Sequence, residues 1–439
     1  MGRKVFISVL GSNNYTECIY YKDKYKSAPV RFVQEATLDY LTKLEEWTEN
    51  DVAIFLLTDE VEKNNWLDNG HLKRDTNEVI QCEGLKRRLE KMNLPIQIST
   101  INHLPHGNNE TEIWNIFENT FSKLQDEDEL YFDLTHGFRY LPMLVMVLIN
   151  YSKFLKNTKV KSITYGNFES RNRITNEAPI IDLLLLSTLQ DWTYAAGQFL
   201  DSGNVNKLIN LSTDKIAPIL RDTKGKDEGA KILRKFIDSL EKSVEDMQAC
   251  RGVSVVEATN LGALKQITNQ LESTFIQPLN PIFGKIKSQF EDFSEHANVK
   301  NGFIAAKWCL ENGLYQQSIT IFQENVVTLI CLEEGLNYRG KERELVNKAF
   351  KIHADNLDEE KWYFPSDISV EELIISKSII KRLLLNEELA KLSPSFQICS
   401  DIRNDINHSG MRNNPHNPKK IKEKIKNLIT ETINILYEP

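Results

Sequence analysis

Up to Ile181, short β-branched or aromatic runs alternate with segments whose apolar residues recur at helical spacing; beyond it the strand signals fade. The runs Lys4–Leu10, Val52–Leu57, Ile96–Ile101, Glu129–Leu134 and Val160–Tyr165 read as buried strands. Val33–Trp47, Glu78–Lys91, Glu112–Leu124 and Leu141–Phe154 fall between them with helical spacing. Strands alternating with helices predict a Rossmann-like α/β domain on a parallel sheet. Two polar insertions, near Tyr15–Pro29 and Val61–Thr76, are expected to ride above the sheet edge. From Leu183 the chain reads as helix, including Asp191–Leu200, Lys231–Asp246, Phe303–Glu311, Gln316–Glu334 and Ile421–Tyr437. The handover lies near Ala178-Pro179, so residues 1–180 are expected to form one domain and 181–439 an all-α one.

A chain of 439 residues exceeds what one core usually serves, in keeping with that division. Hydrophobic content of 41% and charged content of 26% are those of an ordinary globular protein. The apolar runs are too short to cross a bilayer, and MGRKVFISVLGS enters a strand without a signal-peptide layout, so a cytoplasmic location is expected. Six scattered cysteines carry no zinc spacing and read as reduced thiols. A net charge of −8 excludes a general coat for nucleic acid, so any RNA must meet a local basic pocket. Lys419, Lys420, Lys422, Lys424 and Lys426 supply one such patch, or simply a solvated helix face.

Ligands of open α/β sheets bind at the carboxyl ends of the strands. Gly11, Ser12, Asn13 and Asn14 follow the first strand, where glycine permits a tight turn and the others offer compact polar groups. The loop is not GxGxxG, which argues against a dinucleotide site. Thr135, His136, Gly137, Phe138 and Arg139 follow the fourth strand and open a helix, where a helix N-terminus and a forked cation favour phosphate. Thr58-Asp59-Glu60, after the second strand, is a third candidate, with helix capping by Thr58 or Asp59 an equal explanation.

Near the C-terminus, Arg403-Asn404-Asp405-Ile406-Asn407-His408 places a permanent cation five positions before a proton carrier. Ser409-Gly410 then reads as a helix stop. On a helix Asn404 and His408 share a face, as do Arg403 and Asn407. One copy therefore makes a skewed site; two copies across a dyad could surround a phosphodiester.

The run R-N-x-x-N-H resembles the R-x4–6-H signature of HEPN ribonucleases. D-L-T-H-G-F-R followed by L-P-M, with L-G-S-N-N-Y at the first strand end, looks like the CARF domain of type III CRISPR-associated proteins. The stretch Ala305–Ser318, followed by Glu324, is similar to the helical lead-in of their HEPN domains. The resemblance spans the chain in the family's order. It implies a homodimeric endoribonuclease switched on by cyclic oligoadenylate, a tetra- or hexa-adenylate ring bound at the strand-end loops. It further implies single-stranded RNA as substrate, cut without metal or cofactor by Arg403, Asn404 and His408 to leave 2′,3′-cyclic phosphate ends. Glu324 is expected to brace Arg403 or to be an ordinary surface glutamate, and Trp308 to be core. Some members of the family also cleave their activator. Two other readings keep part of this: a ligand-responsive interaction protein with a non-catalytic helical half, and a nucleotide hydrolase acting at Thr135, His136 and Arg139.

Overall fold

In the computed structural model, which describes residues 2–73, 75–137, 139–270 and 277–437, the chain divides into two units, 1–190 and 191–439. The first is built on a sheet whose described strands are β1 (Lys4–Val9), β2 (Ile19–Lys22), β3 (Tyr25–Lys26), β4 (Val52–Leu56), β5 (Gln97–Ile101), β6 (Glu129–Asp133), β7 (Lys159–Gly166) and β8 (Glu177–Asp182). Their order is β3-β2-β8-β7-β6-β1-β4-β5. The stretch from β7 to β5 is parallel, with Val5 opposite both Val52 and Leu130.

Side chains alternate across the pleat, so each strand feeds two cores. Val5, Ile7, Ile54, Leu56, Leu130 and Phe132 pack with Ile116, Phe117, Leu144 and Leu148 of helices Glu110–Ser122 and Leu141–Lys156. Their neighbours Phe6, Phe55 and Tyr131 pack with Leu38, Leu41, Leu85 and Leu89 of helices Val33–Leu44 and Leu85–Met92. Near-continuous apolar strands are what a sheet covered on both faces requires.

Three expectations need correction. The Tyr15–Pro29 insertion does not ride above the sheet: it forms β2 and β3 and extends it. Tyr20 and Cys18 pack with Ala178 and Ile180 in a small third core. The sheet is also mixed rather than wholly parallel, because β8 runs antiparallel to β7. Residues 167–176 join these two strands by way of the turn Phe168–Ser170, a connection too short for a crossover. In the Val61–Thr76 insertion, residues Glu62–Trp66 wind into a π-helical turn whose Asn65 and Trp66 are buried. The helix expected from Glu78 begins only at Leu85, since Asp68 accepts from the Gly84 N–H and Asn69 from the Cys82 N–H, holding an irregular approach.

The second unit is helical throughout its described elements. Helices Lys300–Glu311 and Tyr315–Glu333 form a hairpin, and the second of them packs on Glu387–Asn407. Trp308 is buried there, as expected, near Phe199 and Phe290. All six cysteines are free, and four of them are buried. Among the described residues no helix is long and apolar enough to cross a membrane.

Leu148 is fully buried between the sheet and its helix. Leu148→Ala should lower the stability of the first unit by about 2–5 kcal/mol, read as a drop in its urea-unfolding midpoint.

Candidate functional site

β6 ends on Asp133, a buried carboxyl held by three donors. The Ser8 hydroxyl donates at 2.7 Å, the Thr135 hydroxyl at 2.5 Å and the Thr135 N–H at 3.2 Å. Thr135 Oγ1 in turn accepts from the Gly166 N–H at 2.8 Å, tying the loop after β6 to the end of β7. Burial pushes the Asp133 carboxyl above its usual range, and these donors oppose that shift. Gly137, two residues on, has φ +123°, which a side chain would strain.

The loop after β1 is held from the insertion. Asn65, buried in the π-helical turn, donates from Nδ2 to the carbonyls of Gly11 at 2.8 Å and Asn13 at 2.7 Å. Gly11 must lack a side chain because the Tyr15 phenol occupies the place of its Cβ. Tyr15 lies against His136, ring centroids 4.4 Å apart and planes inclined by 30°. Burial drives the His136 pKa down to about 4, with Glu169 pulling weakly the other way, so the imidazole is neutral at pH 7.

Together these loops enclose a cavity of about 410 Å³ over the carboxyl ends of β1, β4 and β6. Gly11, Ser12, Asn13, Thr58, Thr135, His136 and Gly137 all line it. Thr58 also caps the next turn, accepting from the Val61 N–H at 3.3 Å. Asn14 is not on the lining; it accepts from Arg31 at 3.1 Å. Arg139 is exposed and also off the lining. Phe138 lies outside the described residues. The lining also takes in Tyr15, from the loop after β1, and Glu60, from the third candidate, and adds His106, Tyr140 and Glu169, which the sequence reading did not select. His106 and Glu169 follow the ends of β5 and β7, so the strand-end rule applied to every strand would have flagged them.

The structure also gathers Asp59, Glu62 and His103 within 4.8 Å, a grouping of possible metal ligands the sequence did not suggest. Asp59 and His103 are largely exposed and already pair at 2.6 Å, an arrangement that needs no ion.

In the second unit, helix Glu387–Asn407 carries the Arg403–His408 run to its end. Arg403 reaches across to helix Tyr315–Glu333, donating to Gln323 Oε1 at 3.1 Å and lying 3.4 Å from Glu324 Oε1. Glu324 therefore does contact Arg403, and it shares its other oxygen with Arg343 at 2.7 Å. Asn407 accepts from Gln316 on the same helix at 3.2 Å. Asn404, Asn407 and His408 are exposed, while Arg403 is partly buried against the neighbouring helix. Ser409 and Gly410 have φ of +55° and +68°, and the Gly410 N–H donates to the Asp405 carbonyl at 2.8 Å. That left-handed pair is the expected helix stop. Beyond it, Arg412 and His416 fold back onto Asp401 at 2.6 and 2.8 Å, fixing the loop after His408.

Residues 5–169 match the family model described as the CARF domain of the CRISPR system endoribonuclease Csx1. A curated relative, CRISPR-associated protein MJ1674 of Methanocaldococcus jannaschii, is 24% identical over 391 residues, covering 78% of this chain. The match takes in 56% of that relative, so the chain spans a little over half its length.

Because folding lowers the His136 pKa from 6.5 to about 4, the unfolded chain binds the proton first. His136 thus contributes stability above pH 6.5 that is lost as pH falls toward 4. Titration by NMR should find His136 unprotonated down to pH 5, and His136→Gln should flatten the acid-side slope of stability against pH.

Proposed function

We propose, the N-terminal unit being a CARF domain of the Csx1 family, that this chain is a cyclic-oligoadenylate-activated ribonuclease of type III CRISPR defence, acting as a homodimer. The observation that carries the sensing half is the cavity itself. The family match covers all of its lining, and the lining gathers compact polar groups and exposed backbone from three strand ends, as a nucleotide ligand requires. A ring with internal rotational symmetry suits a pocket repeated about a two-fold axis. Arg139, exposed beside the mouth of the helix Leu141–Lys156, is free of the cavity wall and available to a phosphate there.

An exposed apolar stripe on that helix supports the dimer. Met143, Val147, Tyr151 and Phe154 recur at helical spacing and stand open to solvent, Phe154 at 83%. Such a stripe beside a ligand cavity marks an interaction surface, and the reading assigns it to a second copy.

In the effector half, the RNA 2′-hydroxyl loses its proton and attacks the adjacent phosphorus, and the 5′-oxygen leaves with a proton. His408 of the two copies serves these proton transfers, a reading that its exposure to solvent supports. Arg403 neutralises charge gathering on the phosphorane oxygens, and Asn404 holds a phosphate oxygen or the imidazole. Products carry 2′,3′-cyclic phosphate ends, and DNA survives because it lacks the attacking group. Gln323 and Glu324 hold the Arg403 guanidinium to its own helix pair, which fixes its direction before substrate arrives.

Labelled single-stranded RNA incubated with and without cyclic tetra- or hexa-adenylate tests this reading. Cleavage should rise with one ring, and His408→Ala should cut the rate by roughly 100-fold or more while ring binding persists. Ring binding without RNA cleavage in the native protein would instead identify a sensor whose helical half binds a partner. Phe154→Glu should shift the sedimentation of the protein from dimer to monomer and remove ring-stimulated cleavage; an unchanged dimer would move the interface elsewhere.

A further inference from the structure

Glu324 presents a difficulty for the reaction proposed at Arg403. A carboxylate 3.4 Å from the guanidinium that is to meet a phosphorane offsets the charge the reaction needs. The division of that carboxylate between two arginines removes the difficulty. Arg343, the second residue of helix Glu342–Asp355, has all five of its N–H donors engaged. Nε and Nη2 reach Glu324 Oε2 at 3.2 and 2.7 Å, and Nη2 also reaches the Glu324 carbonyl. Nη1 donates to Thr328 Oγ1 at 2.8 Å and to the Tyr338 carbonyl at 3.3 Å.

Arg403 is held far more loosely. Its contacts with Gln323 and Glu324 both come from Nη1, and its buried Nε has no partner among the described residues. Gln323 is neutral and is itself aimed by a bond to Ser400 Oγ at 3.0 Å, so it directs the cation without offsetting its charge. Arg343 also stands in the first turn of its helix, where the helix dipole disfavours a cation. The carboxylate it meets, and not its own helix, accounts for it there.

Resting on the ribonuclease reading of the helical half, we infer that Arg343 is a positioning residue for Arg403: it holds Glu324 through Oε2 and so leaves Arg403 free to turn its charge on the scissile phosphate. Two guanidiniums about one carboxylate leave a single unit of positive charge. The saturated Arg343 cannot give that charge to RNA without breaking its own bonds, whereas Arg403 can. With Arg343 gone, Glu324 closes on Arg403 as a bidentate pair, and an arginine so paired opposes the growing phosphorane charge poorly.

Ring-stimulated cleavage of single-stranded RNA by the full-length protein tests this. Arg343→Gln, which removes the charge, should lower kcat by roughly tenfold to a hundredfold with KM for RNA changed less than about threefold, since Arg403 acts chiefly on the transition state. Adding Glu324→Gln should raise kcat again by about tenfold, because the amide keeps an acceptor for Arg403 but has no charge to capture it. Arg343→Lys, which keeps a cation beside Glu324, should lose less than Arg343→Gln. A structural tie behaves otherwise: the second substitution leaves kcat low, and the loss follows the urea-unfolding midpoint. That result overturns the inference, as does an Arg343→Gln rate equal to the native one, or a loss confined to KM, which would make Arg343 an RNA contact. Should Arg343→Gln fail to fold, the double variant, in which no carboxylate is left uncompensated, decides: kcat within about tenfold of native supports the inference and a lower one overturns it. Native protein that cuts no RNA with any ring overturns the ribonuclease reading, and this inference with it; the variant outcomes bear on Arg343 alone.

Discussion

The buried Asp133 carboxyl is the constraint on which the strand-end cavity depends. A group of this kind is tolerated inside a protein only when donors surround it, because desolvation without them would cost several kcal/mol. Here the donors come from β1 through Ser8 and from the loop after β6 through Thr135, and Thr135 passes the tie on to β7 at Gly166. Gln34 extends the network, giving its amide to Ser8 at 3.1 Å from helix Val33–Leu44. One carboxyl thus fixes three strand ends at once. The loop Thr135–Gly137 has little freedom left to choose its direction, and it is the loop that lines the cavity.

The first loop is restrained by a different device. Strand β1 hands over to Gly11, whose missing side chain admits the Tyr15 phenol. Asn65 then holds two carbonyls of that loop with one amide group. The residue doing this lies in an insertion some fifty positions away, in a π-helical turn, a form common at functional sites because it re-aims side chains at low cost in length. The cavity is rigid where the chain is most irregular, since side-chain hydrogen bonds replace the ladder bonds the loops lack.

In the helical unit, positioning rests on one glutamate. Glu324 stands between Arg343 and Arg403, so the two cations share its charge, and Gln323 supplies Arg403 with a second acceptor. Both groups are partly exposed, so the pair contributes modestly to stability and chiefly to direction. The helix stop at Ser409-Gly410 and the return of Arg412 and His416 to Asp401 then hold the segment following His408. Residues 403 and 407 both bond to the neighbouring helix while residues 404 and 408 make no such bond, because a spacing of four nearly completes a turn.

The sequence by itself determined the class of each half, five central strands to within a residue or two, the covering helices, and the loops that meet at the strand ends. These are local matters: side-chain period sets strand or helix, and glycine and small polar residues mark the turns between them. It did not reveal β2, β3 or β8, short runs on one flank of the sheet that are strands only because a neighbour's backbone is there to pair with. Nor did it place Asn65 and Glu169 beside the cavity, or keep Asn14 and Arg139 off its wall. Which side chains converge on one volume depends on the twist and order of the sheet and on long-range hydrogen bonds. Those contacts join residues far apart in the chain, and no periodicity along it records them.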